Sequence, residues 1–182
     1  MDKKIRCRWC NMSNPLYIAY HDKEWGQFRN DDAYLFEMLL LESFQAGLSW
    51  ECILNKRENF RKAFDGFDPV KISAYDEEKI SSLLIDAGIV RNKLKVRAAV
   101  NNAKIFLQIT GEYGSFWAYL NLFVRDRRIY ETDRATNDLS DDISGDLKKR
   151  GMKFVGSTII YAYLQAIGVI NSHDPDCFLY VQ

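Results

Sequence analysis

Apolar residues recur along most of this chain at the three- and four-residue spacing of helices. The clearest apolar stripe covers residues 35–44; it follows two aspartates that can cap a helix and precedes Gly47, which can end one. Similar helix-start signals stand at Ser49, at Asp68 before a proline, and at Asp76. The first half of the chain therefore predicts a succession of helices joined by short turns.

The second half of the chain continues this pattern. It predicts helices over about 91–107, 116–123, 140–149 and 156–168, with a polar loop over 125–139. Glycine and proline are scarce, at 10 and 3 residues, and the alternation typical of strands is weak. We therefore expect an all-α fold.

Size and composition indicate a single globular domain over residues 1–182. No apolar run approaches the ~20 residues of a membrane span, and no apolar stretch follows the first charged residues as it does in a signal peptide. Four cysteines are a poor disulfide framework for a chain of this size. We expect a reducing, cytoplasmic compartment.

Charge is balanced overall but unevenly distributed. The formal net charge is zero, yet basic residues cluster over 3–8, 91–97 and 148–153, while acidic residues concentrate over 138–146. Such segregation can give a neutral protein a basic face for nucleic acid. The alternative is that each basic run is only the solvated surface of a helix.

Residues 83–95 have the outline of a DNA-binding element. A helix, a short turn with glycine and a basic helix follow one another, as in a helix–hairpin–helix. In such an element Gly88 lets the backbone approach a phosphate, and Lys93 and Lys95 add positive charge without reading bases. A plain turn between two helices gives the same pattern.

Aromatic residues are concentrated near the start of the chain, where three of the four tryptophans lie. Much of the segment from Trp9 to Trp25, with Tyr17 and Tyr20 between them, shows no clear helical period. With Trp50, these rings can line a pocket for a flat ligand such as a flipped nucleobase. The alternative is that they cover the core beneath an irregular N-terminal arm.

Glu42 is the unusual residue of the densest apolar stretch, residues 39–44. No basic residue stands within one helical turn of it, so an interior position is costly unless the carboxylate is paired or functional. A position on the solvated face of the helix would remove this cost. The sequence leaves both readings open.

Both histidines of the chain stand at spacings compatible with a zinc site. Three residues lie between His173 and Cys177, and thirteen lie between Cys7 and His21. Together they form a Cys2His2 donor set that would join the two ends of the chain around one Zn²⁺. The alternatives are coincidence, or a helix-capping role for His21.

The features above are those by which the chain resembles the DNA-3-methyladenine glycosylase I family, bacterial base-excision enzymes of the helix–hairpin–helix class. The resemblance runs in order from residue 7 to residue 177 and covers nearly the whole chain. The matching segments are Cys7–Trp9, Pro15–Asp22, Glu24–Gly26, Leu35–Met38, Leu41–Glu42, Gln45–Trp50, Lys56–Asn59, Asp86–Ile89 and Lys148–Gly156.

The resemblance implies a single glycosylase domain with a helix–hairpin–helix over about 78–107 and zinc-tethered segments 7–21 and 173–177. It places one structural zinc ion per chain on Cys7, His21, His173 and Cys177. It places the base pocket around Glu42 and the aromatic residues Trp9, Tyr17, Tyr20, Trp25 and Trp50.

The implied activity is the excision of 3-methyladenine from alkylated double-stranded DNA by a monomeric enzyme. The family has no lysine nucleophile, so hydrolysis without a lyase step is expected. Glu42 would accept hydrogen bonds from the amino edge of the base, with Trp50 stacked on the ring. Activation of water by Glu42 is the alternative role.

Two departures from the family pattern bear on these expectations. Some relatives have Gly-Gln where this chain has Ser43-Phe44, which affects the floor of the pocket. Cys10 forms a second pair with Cys7 and offers a competing ligand. A non-enzymatic DNA-binding module and a glycosylase with a different lesion range are the alternative functions, and the carboxylate within an aromatic cage argues against the first.

Overall fold

The computed structural model describes residues 4–181, so Lys3 of the first basic cluster lies outside the described residues. Helices dominate this part of the chain, as the apolar periodicity predicts. The α-helices are α1 Pro15–Lys23, α2 Asp32–Gln45, α3 Trp50–Ala63, α4 Pro69–Ser73, α5 Glu77–Ile85, α6 Lys93–Tyr113, α7 Phe116–Val124, α8 Asp138–Lys149 and α9 Ser157–Ala166. A short 3-10 turn, Asp65–Phe67, follows α3.

The predicted helix starts are confirmed by side-chain caps. Asp31 accepts a hydrogen bond from the backbone of Tyr34 at the start of α2, and Ser49 does the same for Cys52 at the start of α3. Asp68 and Asp76 cap α4 and α5 in the same way. Each cap satisfies N–H groups that the first helical turn would otherwise leave unpaired.

Two short strands depart from the prediction of an all-α chain. Strand β1, Ile129–Tyr130, lies inside the predicted polar loop and pairs in parallel with β2, Ile170–Asn171. The pairing spans two residues on each side, so its signal in the sequence is too short to detect. It anchors the α7–α8 connection beside the C-terminal segment.

Helix α1 is a further correction, because the sequence predicted an irregular segment there. Asn14 caps the helix, and Pro15 occupies its first position. The helix buries only Tyr20 and His21, so it has no apolar stripe from which to recognise it. Its aromatic residues are nevertheless held on a regular backbone.

Helix α2 forms the centre of the core. It packs against α3, α6, α7 and α9, and every residue from Leu35 to Phe44 is buried. Two of these residues are acidic. Glu37 is neutralised by Arg57 and Arg61, each with a nitrogen 2.7 Å from its carboxylate, whereas Glu42 has no such pair among the described residues.

Lys95 is a second correction, because it was expected to contact DNA. Its side chain is buried, and its ammonium donates to the carbonyl oxygens of Phe44 at 2.8 Å and Ala46 at 2.6 Å. These carbonyls lie at the C-terminal end of α2, where unpaired acceptors favour a cation. Lys93, two residues earlier on α6, is exposed. Lys95 therefore holds α2 against α6 and does not reach a phosphate.

No helix of the described residues is long and apolar enough to cross a membrane.

We predict that Lys95→Met destabilises the protein by about 1–3 kcal/mol, because two buried carbonyl groups lose their charged donor. The matched substitution Lys93→Met, on an exposed side chain of the same helix, should change stability by less than about 0.5 kcal/mol. Urea unfolding followed by circular dichroism measures both. Equal midpoints for the two variants would contradict the capping role of Lys95.

Candidate functional site

A cavity of 560 Å³ opens between the N-terminal segment, α2, α3 and α9. Its size suits a single planar heterocycle with room for the attached sugar. All six pocket residues expected from the sequence line it, and the described cavity lining comprises Trp9, Tyr17, Tyr20, Trp25, Glu42 and Trp50 together with Arg8, Gln45, Asp133, Arg134, Ala162, Gln165, Ser172 and Asp174.

The aromatic rings reach this cavity from separate segments of the chain and support one another by edge contacts. The ring centroids of Trp9 and Trp25 are 4.7 Å apart, and those of Trp9 and Tyr17 are 5.4 Å apart. Tyr20 and Trp50 are 5.2 Å apart. Such tilted and edge-on arrangements fix the rings without filling the space between them.

Glu42 is the carboxylate within this cage, and it is only 3% exposed. Its Oε2 atom has no hydrogen-bond partner among the described residues, and the indole N–H of Trp50 likewise has none. Burial raises the pKa of Glu42 to about 8. An unpaired buried carboxylate is costly, so its position indicates a ligand that supplies the missing partner.

The two tyrosines present protonated hydroxyl groups. Burial, with a smaller contribution from the charge of Glu42, raises the pKa of Tyr20 well above its ordinary value. Burial raises the pKa of Tyr17 to about 12. Both hydroxyls are therefore hydrogen-bond donors at neutral pH.

Polar residues of the wall and mouth were not identified from the sequence. Gln45 stands within a segment that carries the family resemblance, which was a usable signal. Gln165 and Ser172 are joined by a 2.8 Å hydrogen bond on the opposite wall. Arg8 and Arg134 come from segments more than 120 positions apart, so no local pattern brings them together.

The four predicted metal ligands form one buried cluster beside the cavity. One donor atom from each of Cys7, His21, His173 and Cys177 lies within 4.8 Å of the others. His21 lies in the last turn of α1, and its ring nitrogens contact Cys7, Asp22 and Cys177 instead of helix-terminal carbonyl groups, which argues against a capping role. Cys10 is buried nearby but does not belong to this cluster, so the competing ligand set receives no support.

Surrounding groups orient the donors of the cluster. His21 Nδ1 lies 2.8 Å from a carboxylate oxygen of Asp22, and His173 Nδ1 lies 2.8 Å from the side-chain oxygen of Asn171. Each contact directs the remaining ring nitrogen inward, the arrangement common around metal-bound histidines. The Nε2 atom of His173 has no partner among the described residues. The donor set therefore fits a tetrahedral metal centre.

Burial sets the protonation states of two donors in the cluster. Burial lowers the pKa of His173 to about 4, which leaves a neutral imidazole with a free lone pair. Burial also raises the pKa of the Cys7 thiol to about 12. Thiolates in this buried position need a neighbouring cation, and a bound divalent metal would provide one.

Helices α5 and α6 are joined by residues 86–92, in agreement with a helical hairpin. The N–H of Gly88 donates to the Asp86 side chain at 2.7 Å, so this group is satisfied within the turn, and an approach of the surrounding backbone to a phosphate stays a prediction. A Cβ atom at Gly88 would lie 3.1 Å from Asn59. The glycine allows close packing of the turn on α3.

Comparison with known proteins gives the same picture over almost the whole chain. The sequence profile of the methyladenine glycosylase family matches residues 9–180. The DNA-3-methyladenine glycosylase 1 of Escherichia coli (strain K12) is 44% identical over 182 residues, which cover 96% of each protein. A DNA-3-methyladenine glycosylase of Haemophilus influenzae is 39% identical and covers 94% of this chain and 96% of its own length.

Solved structures agree in fold. A structure describing 3-methyladenine recognition by the 3-methyladenine DNA glycosylase I of Staphylococcus aureus superposes with a TM-score of 0.91, at 34% identity and with 97% of each chain covered. Sequence and fold thus match together, including the segments that line the cavity. This chain belongs to the methyladenine glycosylase family.

Proposed function

We propose that this protein excises 3-methyladenine from alkylated double-stranded DNA by hydrolysing the N-glycosidic bond. The observation that carries the proposal is the buried, unpaired carboxylate of Glu42 inside an aromatic cage. A flipped base stacks between aromatic faces and is read along its polar edge. Among alkylated bases, one with a positive charge and an amino donor supplies what Glu42 lacks.

Glu42 favours the damaged base over normal adenine by charge. Its pKa of about 8 means that the Glu42 carboxyl group is mostly protonated at neutral pH before a base binds. A cationic base lowers that pKa, so the carboxyl group ionises when the base binds, whereas a neutral base does not have this effect. The ionised group then accepts a hydrogen bond from the exocyclic amino group, while Trp50 stacks on the ring. The role of Glu42 is recognition rather than activation of water.

The bond-breaking step needs little acid catalysis. When the bond from C1′ to the base nitrogen breaks, its electron pair passes to the base and neutralises the positive charge there. Water adds to the sugar cation and releases a proton to solvent. No lysine lines the described cavity, so there is no amine to form a covalent adduct with the sugar. The enzyme is therefore monofunctional, with hydrolysis and no lyase step.

We further propose one structural zinc ion on Cys7, His21, His173 and Cys177. The proposal is supported by the soft and nitrogenous donors, their mutual distances and the oriented imidazoles. The ion would neutralise the thiolates and tie the N-terminal segment to the C-terminal one. Four protein ligands leave no open position for water, so the role is structural.

DNA binding is assigned to the hairpin between α5 and α6, as a helix–hairpin–helix within about 78–107. The backbone N–H groups of Val90 and Arg91 donate to no acceptor within the described residues. They precede the N-terminus of α6, where the helix dipole favours a phosphate. Exposed Lys93 adds charge, while Gly88 shapes the turn and Lys95 takes no part. We propose a monomeric enzyme in the bacterial cytoplasm; none of its four cysteines forms a disulfide, which supports a reducing location.

We predict that Glu42→Gln weakens the binding of the methylated base by about 10- to 150-fold. The amide retains the shape but loses a charge-assisted hydrogen bond of roughly 1.5–3 kcal/mol. Excision should slow rather than vanish, because the cationic base leaves without acid catalysis. Titration of free 3-methyladenine, followed by tryptophan fluorescence, measures the binding. Equal affinities would place Glu42 outside the recognition site.

The same variant has a pH signature. Glu42 holds a proton in the folded protein up to about pH 8, whereas in the unfolded chain it ionises near 4.5. Wild-type stability should therefore fall as the pH rises between these two values, by up to about 5 kcal/mol, and then level off. The E42Q variant lacks this contribution, because its amide does not ionise. Urea unfolding across this pH range compares the two proteins, and a common pH dependence would refute the raised pKa.

Zinc removal should reduce stability much more than the activity of molecules that remain folded. We expect one zinc ion per chain in protein purified without added metal, measured by elemental analysis. His173→Ala should lose the ion and melt at a lower temperature, since a closed loop of this length restricts the unfolded chain by roughly 5 kcal/mol on the disulfide scale. Protein that is fully folded and free of metal would contradict the assignment.

Lys93→Gln should weaken binding equally on all duplex sequences and reduce the slope of log affinity against log salt by about 0.9. The control is Lys104→Gln, an exposed lysine farther along α6. Fluorescence anisotropy with labelled duplexes measures both slopes. An unchanged slope for the Lys93 variant would show that this lysine only solvates the helix.

A further inference from the structure

The mouth of the cavity carries a charged group of residues that the recognition of the base does not use. Arg8, Asp133, Arg134 and Asp174 all line the opening, while Glu42 lies deep inside it. Three of the four are solvent-exposed, with side-chain exposures of 77% for Arg8, 78% for Asp133 and 60% for Arg134. Asp174 is largely buried, with 11% exposure.

Asp174 serves to fix Arg8 rather than to present charge to solvent. Its Oδ2 atom accepts the backbone N–H of Arg8 at 2.7 Å and the side-chain Nε at 3.3 Å. Its own N–H points to the sulfur of Cys7 at 3.3 Å. Arg8 therefore stands on a backbone anchored to the four-donor cluster, and its guanidinium extends to the mouth.

Arg134 is positioned from the other side of the opening. It follows β1, and the backbone of Glu131 is tied to Asn171 of the C-terminal segment by a 3.2 Å hydrogen bond. Within the described residues, the only carboxylate contact of Arg134 is with Glu131, whose oxygen lies 3.6 Å from Nε of the arginine. The Nη2 atom of Arg8 lies 3.3 Å from exposed Asp133 and 3.4 Å from Oδ1 of Asp174. The Nη1 group of Arg8 and both Nη groups of Arg134 thus have no acceptor among the described residues.

We propose that Arg8 and Arg134 bind phosphates of the damaged DNA strand at the mouth of the cavity, and that Asp133 opposes this binding. The inference rests on the proposed function, because an extruded nucleotide must bring its flanking phosphates to this opening. A planar guanidinium matches the phosphate oxygens in two-point contacts. Asp133 and Asp174 offset the charges of Arg8 and Arg134, so the unpaired guanidinium donors, and not a net positive charge, offer the phosphates their contacts.

These residues change the affinity for the DNA backbone and not the selectivity between bases. Their contribution adds to that of the hairpin between α5 and α6, which holds the duplex elsewhere. Asp133 lies within reach of the same phosphates and weakens their binding by repulsion. The assignment therefore gives opposite signs for substitutions of neighbouring charged residues, which a merely structural role does not.

The test uses the full-length protein and a labelled duplex that contains a tetrahydrofuran abasic site. Arg8→Gln and Arg134→Gln should each weaken binding by roughly 5- to 10-fold at low salt and reduce the salt slope by about 0.9. Asp133→Asn should tighten binding by about two- to fivefold. Arg128→Gln is the matched control, since Arg128 is exposed on the same connection but does not line the cavity.

Melting temperature and zinc content separate this result from damage to the fold. Arg8 contacts Asp174 beside the cluster, so Arg134→Gln and Asp133→Asn decide the question if Arg8→Gln does not fold. Unchanged salt slopes in Arg134→Gln together with no gain in Asp133→Asn would overturn the inference. Release of 3-methyladenine from methylated DNA by the wild type is scored separately, and its absence would instead overturn the proposed function.

Discussion

The base cavity depends on holding an aromatic N-terminal segment against a helical core, to which Tyr20 and Trp25 contribute buried rings. Helix α1 buries only Tyr20 and His21, and Trp9 lies outside any regular element. The cluster of Cys7, His21, His173 and Cys177 joins this segment to the C-terminal one at a single buried point. The aromatic wall is therefore held beside the wall from α2 by two sets of contacts, the buried rings and this cluster.

Two buried carboxylates of α2 have different roles, one in packing and one in the cavity. Glu37 and Glu42 are five residues apart, and both are buried in the same helix. Glu37 is matched by Arg57 and Arg61, so it adds a satisfied polar contact between α2 and α3. Glu42 faces the cavity with no matching charge among the described residues, which concentrates the electrostatic cost of the fold at the position where a cation is to be bound.

Much of the architecture could be predicted because apolar periodicity and capping residues act locally. The starts of α2 to α5 follow directly from Asp31, Ser49, Asp68 and Asp76. Helix α1 was not predicted, because a helix that faces a cavity has no apolar stripe. Asn14 and the proline after it nevertheless carried a helix-start signal. A criterion based on caps as well as periodicity would have found it.

The candidate site could be predicted in part for the same physical reason. Trp9, Trp50 and Glu42 are unusual residue types in their local context, and the cavity brings them together. Lys95 was assigned wrongly to DNA, although residues two apart on a helix lie about 160° from each other around its axis, so Lys93 and Lys95 cannot share a face. Arg8 and Arg134 come together at the cavity only through the tertiary fold, and no local sequence pattern predicts this.

The position of the four donors along the chain has a consequence for synthesis on the ribosome. Cys7 and His21 emerge early, whereas His173 and Cys177 follow more than 150 residues later. Helix α9, which packs on α2 and completes the core, also emerges late. The nascent chain therefore has no complete base cavity until the last donors have left the exit tunnel, and damage recognition arises in one late step rather than gradually.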